Sequence, residues 1–83
     1  MRNRPRLTVF SRTWCHLCDE LMDQLRPLCD ELGADIELID VDAKPEFEPL
    51  HGERVPVVVG GGRELCHYQL DEVAIRAYLL NFR

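Results

Sequence analysis

The sequence contains no apolar run approaching the ~20 residues that a helix needs to cross a bilayer, so a membrane span is not expected. No apolar stretch separates the arginine-bearing start, Met1-Arg2-Asn3-Arg4-Pro5-Arg6, from the first strand-like segment, so a secretory signal is not expected either. Positive charge is not in surplus. Ten basic against fifteen acidic residues leave a net charge of −5, a poor match to a generic nucleic-acid surface. Repeats, linkers and low-complexity tracts are missing. Four cysteines in 83 residues are too few for a disulfide-built miniprotein. These absences predict a cytoplasmic chain with reduced thiols that binds neither nucleic acid nor membrane. The length also falls well below the ~150 residues of a typical domain, which excludes a second core. Residues 1–83 are therefore expected to form one domain, with 1–5 as a frayed tail.

The apolar pattern supplies the element order. Leu7-Thr8-Val9-Phe10 reads as a first strand. From Cys15 the period changes, and Leu17, Leu21, Leu25, Leu28 and Leu32 form one helical stripe. Asp19, Glu20 and Asp23 place negative charge near the positive end of that helix, and Gly33 suits its terminus. Pro27 lies inside it and predicts a kink or a break into two pieces. Ile36–Val41 reads as the second strand, which completes a βαβ unit. Residues 42–54, with Pro45, Pro49 and Gly52, leave room for one or two helical turns. Pro56–Val59 reads as a third strand buried on both faces. Gly60-Gly61-Gly62 turns it into a fourth, Arg63–Cys66. Asp71–Leu80 closes the chain as a helix, with Leu70, Val73, Ala74, Ala77 and Tyr78 expected on its inner face.

One motif carries a mechanism. Cys15-His16-Leu17-Cys18 falls where the first strand hands over to the first helix. Residues i and i+3 on a first helical turn face the same way, about 5–6 Å apart, so a small adjustment brings two thiols into disulfide range. Cys15 at the helix start meets free N–H groups and the positive dipole end, which favour thiolate over thiol. Cys15 is then the attacking cysteine in disulfide exchange, and Cys18, one turn deeper, resolves the mixed disulfide. His16 either stabilises the neighbouring thiolate when protonated or faces solvent. Two other readings stay open at this point: a metal or iron–sulfur carrier using these cysteines, and a binding module without turnover. A closed zinc site needs four ligands, and no second paired spacing exists to supply them. Cys29 and Cys66 are expected as small core residues, and His51 and His67 as surface residues.

Ser11-Arg12-Thr13-Trp14-Cys15-His16-Leu17-Cys18 resembles the active-site segment of glutaredoxins, in which a Lys commonly stands at the position of Arg12 and Pro-Tyr fills the middle of the motif. Arg54-Val55-Pro56-Val57 resembles the cis-proline segment that faces the cysteine pair in that family, and is most similar to a group of very short glutaredoxin-like proteins. The resemblance implies an α/β fold of the minimal thioredoxin/glutaredoxin-like kind: βαβ followed by ββα, with a four-stranded mixed sheet. It implies a thiol–disulfide oxidoreductase with Cys15 and Cys18 catalytic. Arg12 would bind a glycyl carboxylate, Trp14 and His16 would border the substrate, and Val55 and Pro56 would shape its groove, with Arg54 a further ligand-binding cation. No cofactor is required. Glutathione is a possible co-substrate, and the expected partners are protein disulfides or glutathione mixed disulfides acting on a monomer. The family usually follows its last strand with Gly-Gly and a Ser-Asp or Cys-Asp pair that holds the amino end of glutathione. Cys66-His67-Tyr68-Gln69 stands there in this chain, and Asp71 is displaced along the helix.

Overall fold

The computed structural model describes residues 4–82. Strand β1 (Arg6–Ser11) leads into helix α1 (His16–Leu32), followed by β2 (Asp35–Asp40). A 3-10 turn at Pro45–Phe47, the short helix α2 (Glu48–His51) and a second 3-10 turn at Gly52–Arg54 form the connection to β3 (Val57–Gly60). Strand β4 (Arg63–His67) and helix α3 (Glu72–Leu80) complete the order. The sheet runs β2-β1-β3-β4, with β1 and β2 parallel and the other neighbours antiparallel. Each strand end lies within one residue of its sequence-based bound.

One face of the sheet is packed against the long helices. Leu7, Val9, Val58 and Cys66 from the strands interlock with Leu21, Met22, Leu25, Leu28 and Cys29 of α1 and with Ile75 and Leu79 of α3. Cys29 and Cys66 are thus core residues, as their apolar settings in the sequence indicate. Leu17 is not. It sits on the exposed side of the first turn while Cys18 takes the inward position. Helix α1 runs unbroken through Pro27 to Gly33, whose φ of 73° ends it and whose N–H donates to the Cys29 carbonyl. Pro27 lies on the solvent side, so water can serve the carbonyl its ring leaves without a donor. The expected two-piece helix is therefore not found.

Helix α3 differs more from its reading. Val73 is 79% exposed and Ala77 also faces solvent, whereas Ile75 is fully buried. The inward stripe is Ile75 and Leu79, flanked by Ala74 and Tyr78. Nearly every residue of Glu72–Leu80 is apolar, so the sequence offers two stripes of similar strength. The hairpin turn needs its glycines for different reasons. Gly61 and Gly62 have φ of 60° and 75°, the backbone of a tight primed turn. Gly60 belongs to β3, and a Cβ there would stand 2.9 Å from the Tyr78 ring. Arg4 and Pro5 are not frayed: Arg4 Nε donates to Asp35 Oδ1 at 3.0 Å, and the Pro5 carbonyl accepts from the Asp35 N–H at 2.9 Å. The rest of the expected tail, 1–3, lies outside the described residues.

The second face has less cover. At one end Phe10, Val41 and Val57 meet Phe47, Val55 and Ile39 under the 45–54 segment. Beyond it the strand register aligns Glu37, Thr8, Val59 and Glu64 across the sheet. That row is largely polar, so the reduced second helix leaves little apolar surface bare.

Candidate functional site

The covered end of the sheet is where the strands converge on one rim. Ser11 pairs with Asp40, and Phe10 with Val57, which in turn pairs with His67. One step further along each strand brings the 12–15 loop, Val41-Asp42, Val55-Pro56 and Tyr68 to a common edge. The loop is tied to β2 there: the Val41 N–H donates to the Ser11 carbonyl at 2.9 Å, and Thr13 Oγ1 donates to Asp40 Oδ2 at 3.1 Å. Trp14 has a left-handed backbone, φ 64°, and is 97% exposed. This residue turns the chain from strand into helix and presents its indole to solvent beside Cys15.

Cys15 is the N-cap of α1, with extended φ and ψ of −110° and 106°. Its Sγ accepts the backbone N–H of Cys18 at 3.2 Å, and its carbonyl accepts the Asp19 N–H at 3.1 Å. The sulfur does what a Ser or Asp oxygen does at other helix starts: it serves a donor that the helix cannot satisfy internally. Cys15 is half-buried and Cys18 is only 3% exposed, and both are free thiols. Burial pushes the Cys18 thiol up to about 12, and the neighbouring Cys15 sulfur adds to the rise. The backbone N–H of Arg12 pulls it down, too weakly to reverse the shift. The two sulfurs are therefore unlike. One is half-exposed at the helix N-terminus, and the other is a buried thiol inside the first turn.

The Val55–Pro56 peptide bond is cis. Pro56 is buried and Val55 is half-buried. The Pro56 carbonyl accepts the Tyr68 N–H at 2.9 Å, and Tyr68 Oη donates to the Glu53 carbonyl at 3.2 Å. A cleft of about 330 Å³ opens between α1 and the segment after β4, with Leu17, Glu20, Gln24, Tyr68 and Gln69 among its walls. Its Leu17 wall belongs to the Cys15–Cys18 turn itself.

A scan against protein families matches residues 6–80 to the glutaredoxin-like domain known as DUF836. The chain belongs to this family. An uncharacterised protein of Mycobacterium tuberculosis is 36% identical over 80 residues, covering 90% of this chain and 82% of that protein. A Nitrosomonas europaea protein solved by solution NMR superposes with a TM-score of 0.82 at 36% identity, covering 94% of each chain. Mitochondrial thioredoxin 3 of Saccharomyces cerevisiae, in its oxidised form, superposes with a TM-score of 0.68 at 18% identity, over 98% of this chain and 81% of its own. The fold is thus the thioredoxin fold in a short form, a mixed four-stranded sheet with three helices.

Against that family, the remaining sequence candidates fall into place unevenly. Cys15, Cys18, Trp14, His16, Val55 and Pro56 belong to the rim or its first helical turn. His16 is exposed on that turn. Arg12 reaches the other way. Its Nε donates to Asp42 Oδ1 at 3.0 Å, its Nη1 to the Gly52 carbonyl at 3.2 Å, and its Nη2 to Glu48 Oε1. Arg54 pairs with Glu64 at 2.8 Å, and His67 Nδ1 meets the other oxygen of the same carboxylate at 2.8 Å. Asp71 caps α3, accepting the Ala74 N–H at 3.1 Å. His51 is not a surface residue: its ring stacks on Phe10 at 4.2 Å, and its Nδ1 is enclosed without a hydrogen-bond partner. Among the described residues, no three His, Cys, Asp or Glu side chains converge as metal ligands, and no helix is long and apolar enough to cross a membrane. Asp42, Glu48 and Tyr68 escaped the sequence reading. The first two act across 30 and 36 residues, a distance no local pattern encodes. The Tyr68 φ of 65° gives no signal in a residue type that seldom adopts it.

Proposed function

We propose that the protein is a thiol–disulfide oxidoreductase of reducing, cytosolic surroundings that uses Cys15 and Cys18 as a dithiol pair. The observation that carries this reading is the asymmetry of the two sulfurs. Cys15 caps the helix with its Sγ held by the Cys18 N–H, while the Cys18 thiol is buried and raised to about 12. A thiolate at Cys15 attacks a substrate disulfide RSSR, forming Cys15–S–SR and releasing RS⁻. Cys18 then loses its proton and attacks the Cys15 sulfur, forming the Cys15–Cys18 disulfide and releasing the second RSH. Two protein thiols are oxidised and one substrate disulfide is reduced. The high affinity of Cys18 for its proton keeps it from competing as nucleophile in the first step. Trp14, Leu17 and the Val55–Pro56 segment border the substrate, and the partners are protein disulfides or mixed disulfides.

The test is a redox titration of purified protein in glutathione buffers, with mass-tagged alkylation of free thiols. Two thiols should titrate together in wild type and in neither single variant. Cys18→Ser should accumulate a mixed disulfide on Cys15, and Cys15→Ser should form none. If Cys15 and Cys18 form no disulfide across the accessible range, the reading fails. Iron or zinc in the purified protein, lost in Cys15→Ser, would then favour a metal carrier.

A further inference from the structure

The cation nearest the cysteine pair in sequence is already occupied. Arg12 stands three residues before Cys15. All three guanidinium nitrogens donate within the protein, to two carboxylates and one carbonyl. A guanidinium recognises a substrate carboxylate through two parallel N–H donors. Here that fork is turned toward the 42–52 segment, and a third carboxylate arriving there would meet two of its own sign. The segment that borders the rim, residues 40–54, carries five acidic residues and two basic ones. One of those two, Arg54, is paired with Glu64, and the other, Lys44, is exposed and outnumbered by the five carboxylates of its own segment. The cleft on the other side of the cysteine turn offers two amides and Glu20 as its polar walls, with no basic side chain among its lining residues. Both flanks of Cys15 thus lack a free guanidinium to receive an anion.

Resting on the oxidoreductase reading above, we propose that Asp42 and Glu48 are specificity-determining residues. They withdraw Arg12 from substrate, so the site selects disulfides bearing neutral or cationic groups over those bearing carboxylates. The chemistry at Cys15 is unchanged by this. What changes is the encounter, because like charges beside the nucleophile slow the approach of an anion and speed that of a cation.

Three small disulfides separate the possibilities: cystamine as a dication, hydroxyethyl disulfide as a neutral molecule and glutathione disulfide as an anion. Oxidation of the reduced, full-length protein by each is followed by stopped flow. The rates are divided by those of dithiothreitol with the same disulfide, which removes their intrinsic reactivity. At low salt the normalised cystamine-to-glutathione disulfide ratio should be about tenfold or more. It should fall towards unity as salt is raised, an arm that needs no variant. In Asp42→Asn/Glu48→Gln the rate with glutathione disulfide should rise several-fold, with hydroxyethyl disulfide little changed. Adding Arg12→Met to that background should abolish the gain, which shows that the freed guanidinium is its cause. A wild-type ratio at or below unity at low salt overturns the proposal. So does a double variant, folded by circular dichroism, whose preference is that of wild type. Failure of all three disulfides to oxidise the pair would instead sink the oxidoreductase reading itself.

Discussion

The two faces of the sheet are built by different means. The face under α1 and α3 is an apolar interlock in which Leu7, Val9, Leu21, Leu25 and Ile75 are essentially fully buried. The face under residues 45–54 holds a smaller apolar patch, fastened at its borders by polar straps: Arg12 to Asp42 and Glu48, Arg54 to Glu64, and Tyr68 to Glu53. The first face supplies stability, because burial of apolar surface is the dominant favourable contribution to folding. The second places loops at the rim, because directional hydrogen bonds and ion pairs fix position more than they add free energy. The cysteine pair straddles this division. Cys18 is buried, while Cys15 and Trp14 belong to the rim.

The strongest way to break the comparison is to make matched deletions on both faces. Leu25→Ala removes a fully buried side chain from the centre of α1 and should cost about 2–5 kcal/mol. That is a large fraction of the roughly 5–10 kcal/mol expected for so short a chain. Phe47→Ala deletes a larger side chain, but a half-buried one on the thin face, and should cost less, about 1–2 kcal/mol. Urea unfolding of the reduced proteins measures both. Equal losses would mean that the strapped face carries as much stability as the helical one.

A smaller effect comes from pH and sharpens the placement of Cys18. An unfolded cysteine ionises near pH 8.5–9, whereas the folded Cys18 thiol is raised by burial to about 12. The unfolded chain therefore releases a proton that the folded chain keeps. Stability from this group is fully present below about pH 9 and falls as pH rises from there towards 12. Cys29 and Cys66, also raised by burial, contribute in the same direction. Reduced wild type should lose stability above pH 9 more steeply than reduced Cys18→Ala, which keeps the other two buried thiols. Identical slopes in the two proteins, measured by urea midpoints at each pH, would place Cys18 in contact with water.

The helical face was largely legible in the sequence, and the strapped face was not. Strand alternation, the 3.6-residue period of α1, Gly33 and the hairpin glycines are local signals, and each maps to an element close to its expected bounds. The Cys15-His16-Leu17-Cys18 turn was legible for the same reason: a helix start is written within a few residues. The exceptions follow from the physics of each signal. Pro27 gives a breaker signal, but its exposed position lets the helix continue. Helix α3 is apolar on several sides, so periodicity could not choose Ile75 over Val73. Arg12 reads as a free cation beside the motif because its partners, Asp42, Gly52 and Glu48, lie 30 to 40 residues away. The 42–54 segment has no period to read, and its place is set by those straps, by the His51 ring stacked on Phe10 and by the Phe47 ring packed at a tilt against it.

The smallest expected effect tests whether the straps position rather than stabilise. Arg54 is partly exposed, and its pairing with Glu64 at 2.8 Å ties the segment before the cis bond to β4. Ion pairs of this exposure contribute little to global stability, so Arg54→Met should shift the unfolding free energy by less than about 1 kcal/mol. Its methionine stem keeps the packing of the arginine chain, which isolates the lost charge. The local consequence should be clearer than the global one. The Tyr68 N–H is held by the Pro56 carbonyl at 2.9 Å, and the Tyr68 hydroxyl by the Glu53 carbonyl at 3.2 Å. Once Arg54 no longer holds this segment to β4, it should open more often, and the Tyr68 amide should exchange with deuterium several-fold faster. The amides of Leu25 and Ile75, in the helices on the other face, should keep their wild-type rates. Faster exchange in the helices by the same factor would show that the straps support the whole fold. Unchanged exchange at Tyr68 would show that the two tyrosine hydrogen bonds hold the loop without Arg54.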